Sequence, residues 1–350
     1  MRTLVAAALL AGCATAGGAP ATGIPGLRGL DHVVIGVNDL IGAAGAYERL
    51  GFEVVRVNHP ADAPAAAFVD LGSGYLELVP PEPDSLGQPA PYTFEGALGQ
   101  GWEVEDLGAA TDALARRGAE FTEPRLADLA PRAPGSVIRR ASPVSEPVSG
   151  SFVFLVEYDE PAVRTAWERA VAAGAKADPL DHPNGAVTLE YVTIALRNPA
   201  GTVETLERWG LAPGAPGHDV RGAQTSRVDL GEGRLYLTVP TGGGGLDDFL
   251  EERRALAPPV GDRYFEGGIL SVGVGVGDLG ATETFFQDRN VPYIPMDLPG
   301  GRTLVVQGAP AWALRLEFVQ AAAPGERTGW AAHRGGATRG APGGPGGDAR

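Results

Sequence analysis

The chain has 350 residues, with 43 acidic against 28 basic side chains and a formal net charge of −15 at pH 7. So acidic a chain excludes non-specific nucleic-acid binding, which needs a basic face to neutralise phosphates. Hydrophobic residues make up 44%, as in a globular protein, and Cys13 is the single cysteine, so no intramolecular disulfide can form.

Met1-Arg2-Thr3 is a short, positively charged start, and the apolar run Leu4 to Leu10 is too short to span a bilayer. It ends in Leu10-Ala11-Gly12-Cys13, which resembles a bacterial lipobox. The resemblance implies a signal peptide over 1–12, lipidation of Cys13 and a place in the bacterial cell envelope, held to the membrane by acyl chains. The alternative is an ordinary signal peptide with an incidental cysteine. The Gly/Ala/Pro-rich stretch 13–26 reads as a tether.

The first module starts at Leu30-Asp31-His32-Val33-Val34-Ile35-Gly36-Val37-Asn38-Asp39-Leu40, a strand that leads into a helix capped by Asp39. Leu40, Ala43, Ala44, Tyr47 and Leu50 recur at helical spacing and Gly51 stops the helix. Strands over 52–57, 66–70 and 75–79 follow, the last after the Gly72-Ser73-Gly74 turn, so the unit is βαβββ. The second module is poorer. Asp106 caps a helix carrying Leu107, Ala110 and Leu114, and strands are expected over 119–123, 137–140 and 151–158. A connecting helix is expected over 160–173.

The third module has Asn198-Pro199 at a helix start, with Val203, Leu206 and Trp209 along the helix and Gly210 at its end. Strands over 224–229 and 234–239 follow, then a short helix over 246–256. In the fourth, Asp278 caps a helix with Leu279, Thr282, Phe285 and Phe286, and strands are expected over 291–294, 303–307 and 313–319. From 321 onward the composition is that of a disordered tail.

Four such units, with Gly74-Tyr75-Leu76-Glu77-Leu78-Val79 closing the first and His182-Pro183-Asn184-Gly185-Ala186 just before the third, resemble the vicinal oxygen chelate superfamily. That group includes glyoxalase I, extradiol dioxygenases and bleomycin-resistance proteins, and the likeness is to its bacterial glyoxalase-like branch. It implies an α+β fold. Two glyoxalase-like domains, over 27–160 and 187–320 and joined by 161–186, would each pair two modules into a curved mixed sheet with helices on the convex face. It also implies a cup on each concave face, where a divalent metal, when present, is held by one residue from the first and last strand of each paired module.

Strand side chains alternate, so the apolar set marks the helix side. This sends His32, Val34, Tyr75, Glu77 and Val79 to the first cup, and Tyr191, Thr193, Tyr236, Ser271, Arg315 and Glu317 to the second. In the second module it sends Phe152, Phe154 and Val156 to the helix and Glu157 to the cup. The metal set is then His32, Glu77 and Glu157, suited to Zn, Mn, Fe or Ni, with Glu77 or Glu157 also able to shuttle a proton as catalytic groups. The fourth position falls on Gly99, or with a one-residue slip on Gln100. Tyr75, Glu103, Tyr191, Tyr236 and Arg315 are the candidate substrate-binding residues. The second cup carries no metal set and reads as degenerate or as a metal-free pocket. His182 reads as a capping residue of the linker.

Two functions follow. One is a metal-dependent lyase, isomerase or dioxygenase of the glyoxalase type, in which the metal polarises vicinal oxygens of a small substrate. The other is a metal-free lipoprotein that sequesters a small hydrophobic or aromatic ligand. An envelope location, where glutathione is scarce, counts against a glutathione-dependent glyoxalase I.

Overall fold

The computed structural model describes residues 23–58, 64–81, 95–127, 138–143, 148, 150–158, 181–218, 223–242, 244–255, 267–298, 301–308, 311–312 and 314–321. Cys13 and its signal, the connecting helix expected over 160–173 and the tail from 322 lie outside the described residues.

The chain forms two eight-stranded sheets with the same plan. The first contains β1 (Leu27–Gly36), β2 (Val55–Asn58), β3 (Pro64–Asp70), β4 (Tyr75–Val79), β5 (Gly96–Val104), β6 (Arg125–Ala127), β7 (Ile138–Ala141) and β8 (Phe152–Tyr158), in the order β2-β3-β4-β1-β5-β8-β7-β6. The second contains β9 (Ala186–Leu196), β10 (Gly217–His218), β11 (Gln224–Asp229), β12 (Arg234–Val239), β13 (Gly267–Val276), β14 (Ile294–Leu298), β15 (Gly301–Val306) and β16 (Arg315–Gln320), ordered β10-β11-β12-β9-β13-β16-β15-β14. Within each module the first and last strands are parallel, and the two first strands meet antiparallel at the sheet centre. Modules one and two therefore share one sheet, and modules three and four the other.

The helices are α1 (Leu40–Arg49), α2 (Leu107–Ala115), α3 (Ala200–Arg208), α4 (Gly245–Ala255) and α5 (Leu279–Asp288). Asp39, Asp106 and Asp278 cap α1, α2 and α5 by accepting from Gly42, Ala109 and Ala281 N–H respectively. At α3 the helix starts one residue late and Asn198 Oδ1 accepts from Ala200 N–H. Gly51, Gly118, Gly210 and Asn290 end the four module helices in the left-handed region, where glycine and asparagine cost least. Among the described residues no helix is long and apolar enough to cross a membrane.

The helix sides of the two sheets share one hydrophobic core. Val33, Ile35, Leu76 and Leu78 of the first sheet and Val192, Ile194, Val272 and Phe318 of the second belong to one cluster, all at most 2% exposed. Aromatic pairs cross the seam: Phe52 stacks on Phe318 at 5.8 Å, and Trp102 meets Trp209 edge-on at 6.2 Å. Burial of this continuous apolar surface is the main force holding the halves together. The seam is also hydrogen-bonded symmetrically. Leu30 N–H donates to Glu232 O in the turn before β12, and Leu189 N–H donates to Ser73 Oγ in the turn before β4. His182 completes it, accepting from Glu53 N–H on Nδ1 at 2.9 Å and donating from Nε2 to Asp70 O at 2.6 Å. Asn184 Nδ2 donates to Leu50 O at 2.9 Å.

Three expected details change. The strand expected over 119–123 is reduced to a bridge at Phe121, and the strand proper is β6. The strand expected over 291–294 runs from Ile294 to Leu298. In β8 the faces are the reverse of the expectation. Val153 and Leu155 join the helix-side core, while Phe154, Val156 and Tyr158 cluster on the cup side. The alternation rule failed here because this cup wall is itself apolar.

Each first strand carries a β-bulge at the same place. Opposite the partner strand, the extra residue is Asp31 in β1, Leu98 in β5, Glu190 in β9 and Leu270 in β13. Each sits immediately before the residue that faces the cup centre: His32, Gly99, Tyr191 and Ser271. Bulges re-aim side chains and sharpen strand twist.

Candidate functional site

In the first cup the bulge at Asp31 puts a buried carboxylate beside a buried imidazole. His32 Nδ1 lies 2.7 Å from Asp31 Oδ2, and the same oxygen accepts from Tyr158 Oη at 2.8 Å. A carboxylate only accepts, so the Nδ1 proton sits on His32 and Nε2 is the nitrogen turned towards Glu77. Nε2 is 4.0 Å from Glu77 Oε2. His32 is 3% exposed and Glu77 7%.

The imidazole lies flat across β5. A side chain at Gly101 would collide with it, since a Cβ there would lie 2.2 Å from His32 Cε1. The missing side chain lets the ring reach Phe154 on one side (6.3 Å, near parallel), while Tyr75 stacks on the other at 4.8 Å. Phe68 meets Tyr75 edge-on. Arg140 Cζ rides 4.6 Å over the Phe154 ring at the rim, and Phe152, on the same face, is exposed. Burial raises the Glu77 carboxyl above its ordinary value, and the His32 and Arg140 charges pull partly against it.

His32, Tyr75 and Glu77 lie together on the first cup. Glu157 does not join them. It lies on the helix side of β8, where Oε2 accepts from Leu107 N–H at 2.7 Å, so it caps the N-terminus of α2. Gln320 does the same for α5 through Leu279 N–H, at the equivalent place in the fourth module. Gln100 is also on the helix side, paired with the core residue Val33, which removes it as a cup residue. Glu103 faces the cup and is held by Arg28 Nη1 at 3.0 Å. Asp31, Tyr158, Phe154 and Gly101 escaped the sequence reading. The alternate glycines in Gly99-Gln100-Gly101 were the available signal, since they vacate the floor of the cup.

Counting from the helix caps, His32, Glu77, Gly99 and Phe154 occupy the four central positions of the first cup. Glycine and phenylalanine cannot ligate a cation. Among the described residues no three His, Cys, Asp or Glu side chains are grouped to hold a metal ion. The donor set at this cup therefore falls short of a resident metal site.

The second cup has Tyr191, Tyr236, Ser271 and Glu317 at the same four positions. Tyr191 Oη donates to Glu317 Oε2 at 2.9 Å and meets the Tyr236 ring edge-on at 5.1 Å. Burial and the Glu317 charge push the Tyr191 hydroxyl well above the ordinary tyrosine value, so it stays a donor. Arg315 Nε lies 2.7 Å from Glu317 Oε1.

Paired βαβββ modules with a central antiparallel strand pair and a cup on each concave face define the vicinal oxygen chelate fold. The model of the glyoxalase-like domain family matches residues 30–210, just over half of the chain. The chain belongs to that family. No curated protein compared matches it in sequence. Among solved structures it is similar in fold to a mutant of 4-hydroxymandelate synthase from Streptomyces coelicolor, at 15% identity and a TM-score of 0.57 over 84% of this chain and 92% of that one. It is similar also to a mutant of homoprotocatechuate 2,3-dioxygenase from Brevibacterium fuscum (12%, 0.54, 86% and 74%). The enzyme of that name from Arthrobacter globiformis gives 12%, 0.52, 86% and 82%.

Proposed function

We propose that the first cup binds a small planar molecule and that the His32–Glu77 pair holds or moves a proton at its polar end, without a metal resident in the chain. The observation that carries this is the 4.0 Å approach of His32 Nε2 to Glu77 Oε2 on a face rimmed by Phe152, Phe154 and Arg140. Asp31 fixes which nitrogen faces the carboxylate, and burial raises that carboxyl above its ordinary value, which favours its holding a proton. The aromatic rim would stack the ligand and Arg140 would favour an anionic or π-rich one. The fold shared with 4-hydroxymandelate synthase and homoprotocatechuate 2,3-dioxygenase supports a small-molecule ligand.

The test is metal content per chain of the full protein, together with thermal shifts against a panel of phenols and aromatic acids. Expected are far less than one metal per chain and a ligand-induced shift that Phe154→Ala and His32→Ala remove. Near-stoichiometric metal lost in both His32→Ala and Glu77→Gln would overturn the reading in favour of a metal-dependent lyase, isomerase or dioxygenase. Turnover of a bound panel member that Glu77→Gln abolishes while binding persists separates proton-transfer chemistry from plain sequestration.

The Leu10-Ala11-Gly12-Cys13 motif supports a lipid-anchored place in the bacterial envelope. Labelling with a palmitate analogue that Cys13→Ser abolishes is the expected result.

A further inference from the structure

After Cys13 the sequence holds a single sulfur atom, that of Met296. It sits in β14, the outermost strand of the second sheet, which pairs with β15 alone among the described residues. Met296 is half-buried, between the exposed residues Pro295 and Asp297. Edge strands are held on one side only and are the first part of a sheet to open.

Met296 also reaches past its neighbouring strand. Its Sδ lies 3.8 Å from Arg315 Nη2, on β16, with β15 between them. Arg315 is itself anchored: Nε lies 2.7 Å from Glu317 Oε1, and Glu317 Oε2 accepts from Tyr191 Oη at 2.9 Å. The Glu317 side chain is 3% exposed. A fixed guanidinium therefore turns Nη2 towards a thioether, and that sulfur is the one acceptor Nη2 has among the described residues. A thioether is a weak acceptor for so strong a donor. A sulfoxide oxygen is a polar one.

We propose that Met296 is an oxidation site, and that its sulfoxide is bound by Arg315 and clasps the edge strand to β16. The oxidant is a hydroperoxide. One oxygen atom passes to the thioether: the S–O bond forms as the O–O bond breaks, the sulfur is oxidised, and the peroxide is reduced to water or an alcohol. The new oxygen stands one bond out from a sulfur already 3.8 Å from Nη2, which brings it within hydrogen-bond reach of the guanidinium. Sulfoxide formation ordinarily disrupts an apolar contact. Here it replaces a poor acceptor by a good one beside a charged donor, so the edge tightens instead.

The experiment treats the full chain with hydrogen peroxide at neutral pH, locates added oxygen by peptide mass spectrometry, and follows amide exchange in β14 and the Arg315 guanidinium signal in ¹⁵N–¹H spectra. Expected are one oxygen on Met296, exchange of the β14 amides that pair with β15 slowed about tenfold, and a shifted Arg315 signal. Met296→Leu should abolish all three responses. Met296→Gln, which carries a permanent carbonyl acceptor, should show the slowed exchange without peroxide. The proposal is overturned if Met296 stays reduced while free methionine in the same solution is consumed. It is overturned equally by β14 exchange that is unchanged or faster after oxidation, by an unmoved Arg315 signal, or by a response that persists in Met296→Leu. Exchange in Met296→Gln no slower than in Met296→Leu would also overturn it.

Discussion

Asp31 and His32 are neighbours in the chain, yet their side chains lie on the same side of β1, with Oδ2 and Nδ1 2.7 Å apart. Regular strand geometry forbids this, because successive residues point to opposite faces. The bulge opposite Trp102 and Gly101 permits it. A carboxylate and the imidazole it orients are thereby supplied by one dipeptide, and Tyr158 from the far strand of the second module locks them. Asp31→Ala should cost about 1–3 kcal/mol, and Tyr158→Phe less. Since both act through Oδ2, a double-mutant cycle by urea denaturation should show their effects to be non-additive. Strict additivity would show that Tyr158 does not act through Asp31.

Gly101→Ala tests the floor beneath the imidazole. The new methyl would lie 2.2 Å from Cε1 and 2.3 Å from Nδ1 of His32, so the ring must move. We expect a loss of about 1–3 kcal/mol from overpacking and a changed imidazole signal in long-range ¹⁵N–¹H spectra. An unchanged spectrum would mean that the ring does not rest there.

Glu77 gives a pH signature. Its carboxyl is raised above 4.5 by burial, so the folded state binds the proton more tightly than the unfolded state. Its contribution is then fully present below the unfolded value and is lost as pH rises through the folded one. Glu77→Gln should therefore raise the denaturation midpoint at pH 7. The gain should shrink towards zero near pH 4. A variant less stable than the parent at pH 7 would contradict this.

Glu157 should behave as a cap. Glu157→Ala is expected to cost about 0.5–2 kcal/mol by leaving Leu107 N–H without its acceptor, with ligand binding in the first cup unaltered. Loss of binding at unchanged stability would return Glu157 to the site.

His182 bonds the linker to the loop after α1 and to the end of β3 through both ring nitrogens. His182→Ala should remove both bonds and the edge contact with Phe52. The expected loss is about 2–4 kcal/mol, roughly two hydrogen bonds' worth. The melting transition should stay single but move down.

The fold was legible because each module repeats the same physical cues: a strand, an aspartate or asparagine cap, an apolar helix face and a left-handed stop. His32 and Glu77 were legible because the first module's strands have one clean apolar face. Glu157 was misplaced because the opposing test, apolar means helix side, assumes a polar cup. Phe154 and Val156 break that assumption, as they line the cup themselves. The bulge was not read, although Leu30 and Val33 are both core residues three apart, where alternation demands an even spacing. That break marks an inserted residue, and the inserted residue is Asp31.

The core shared by the helix faces of both sheets leaves the two concave faces turned away from that core, one on either side of it. The two concave faces are therefore held apart by the thickness of that core and do not face each other across a common cleft. The lining of one can drift by substitution without repacking the other, as the Phe154–Val156–Tyr158 and Tyr191–Tyr236–Val319 clusters already differ.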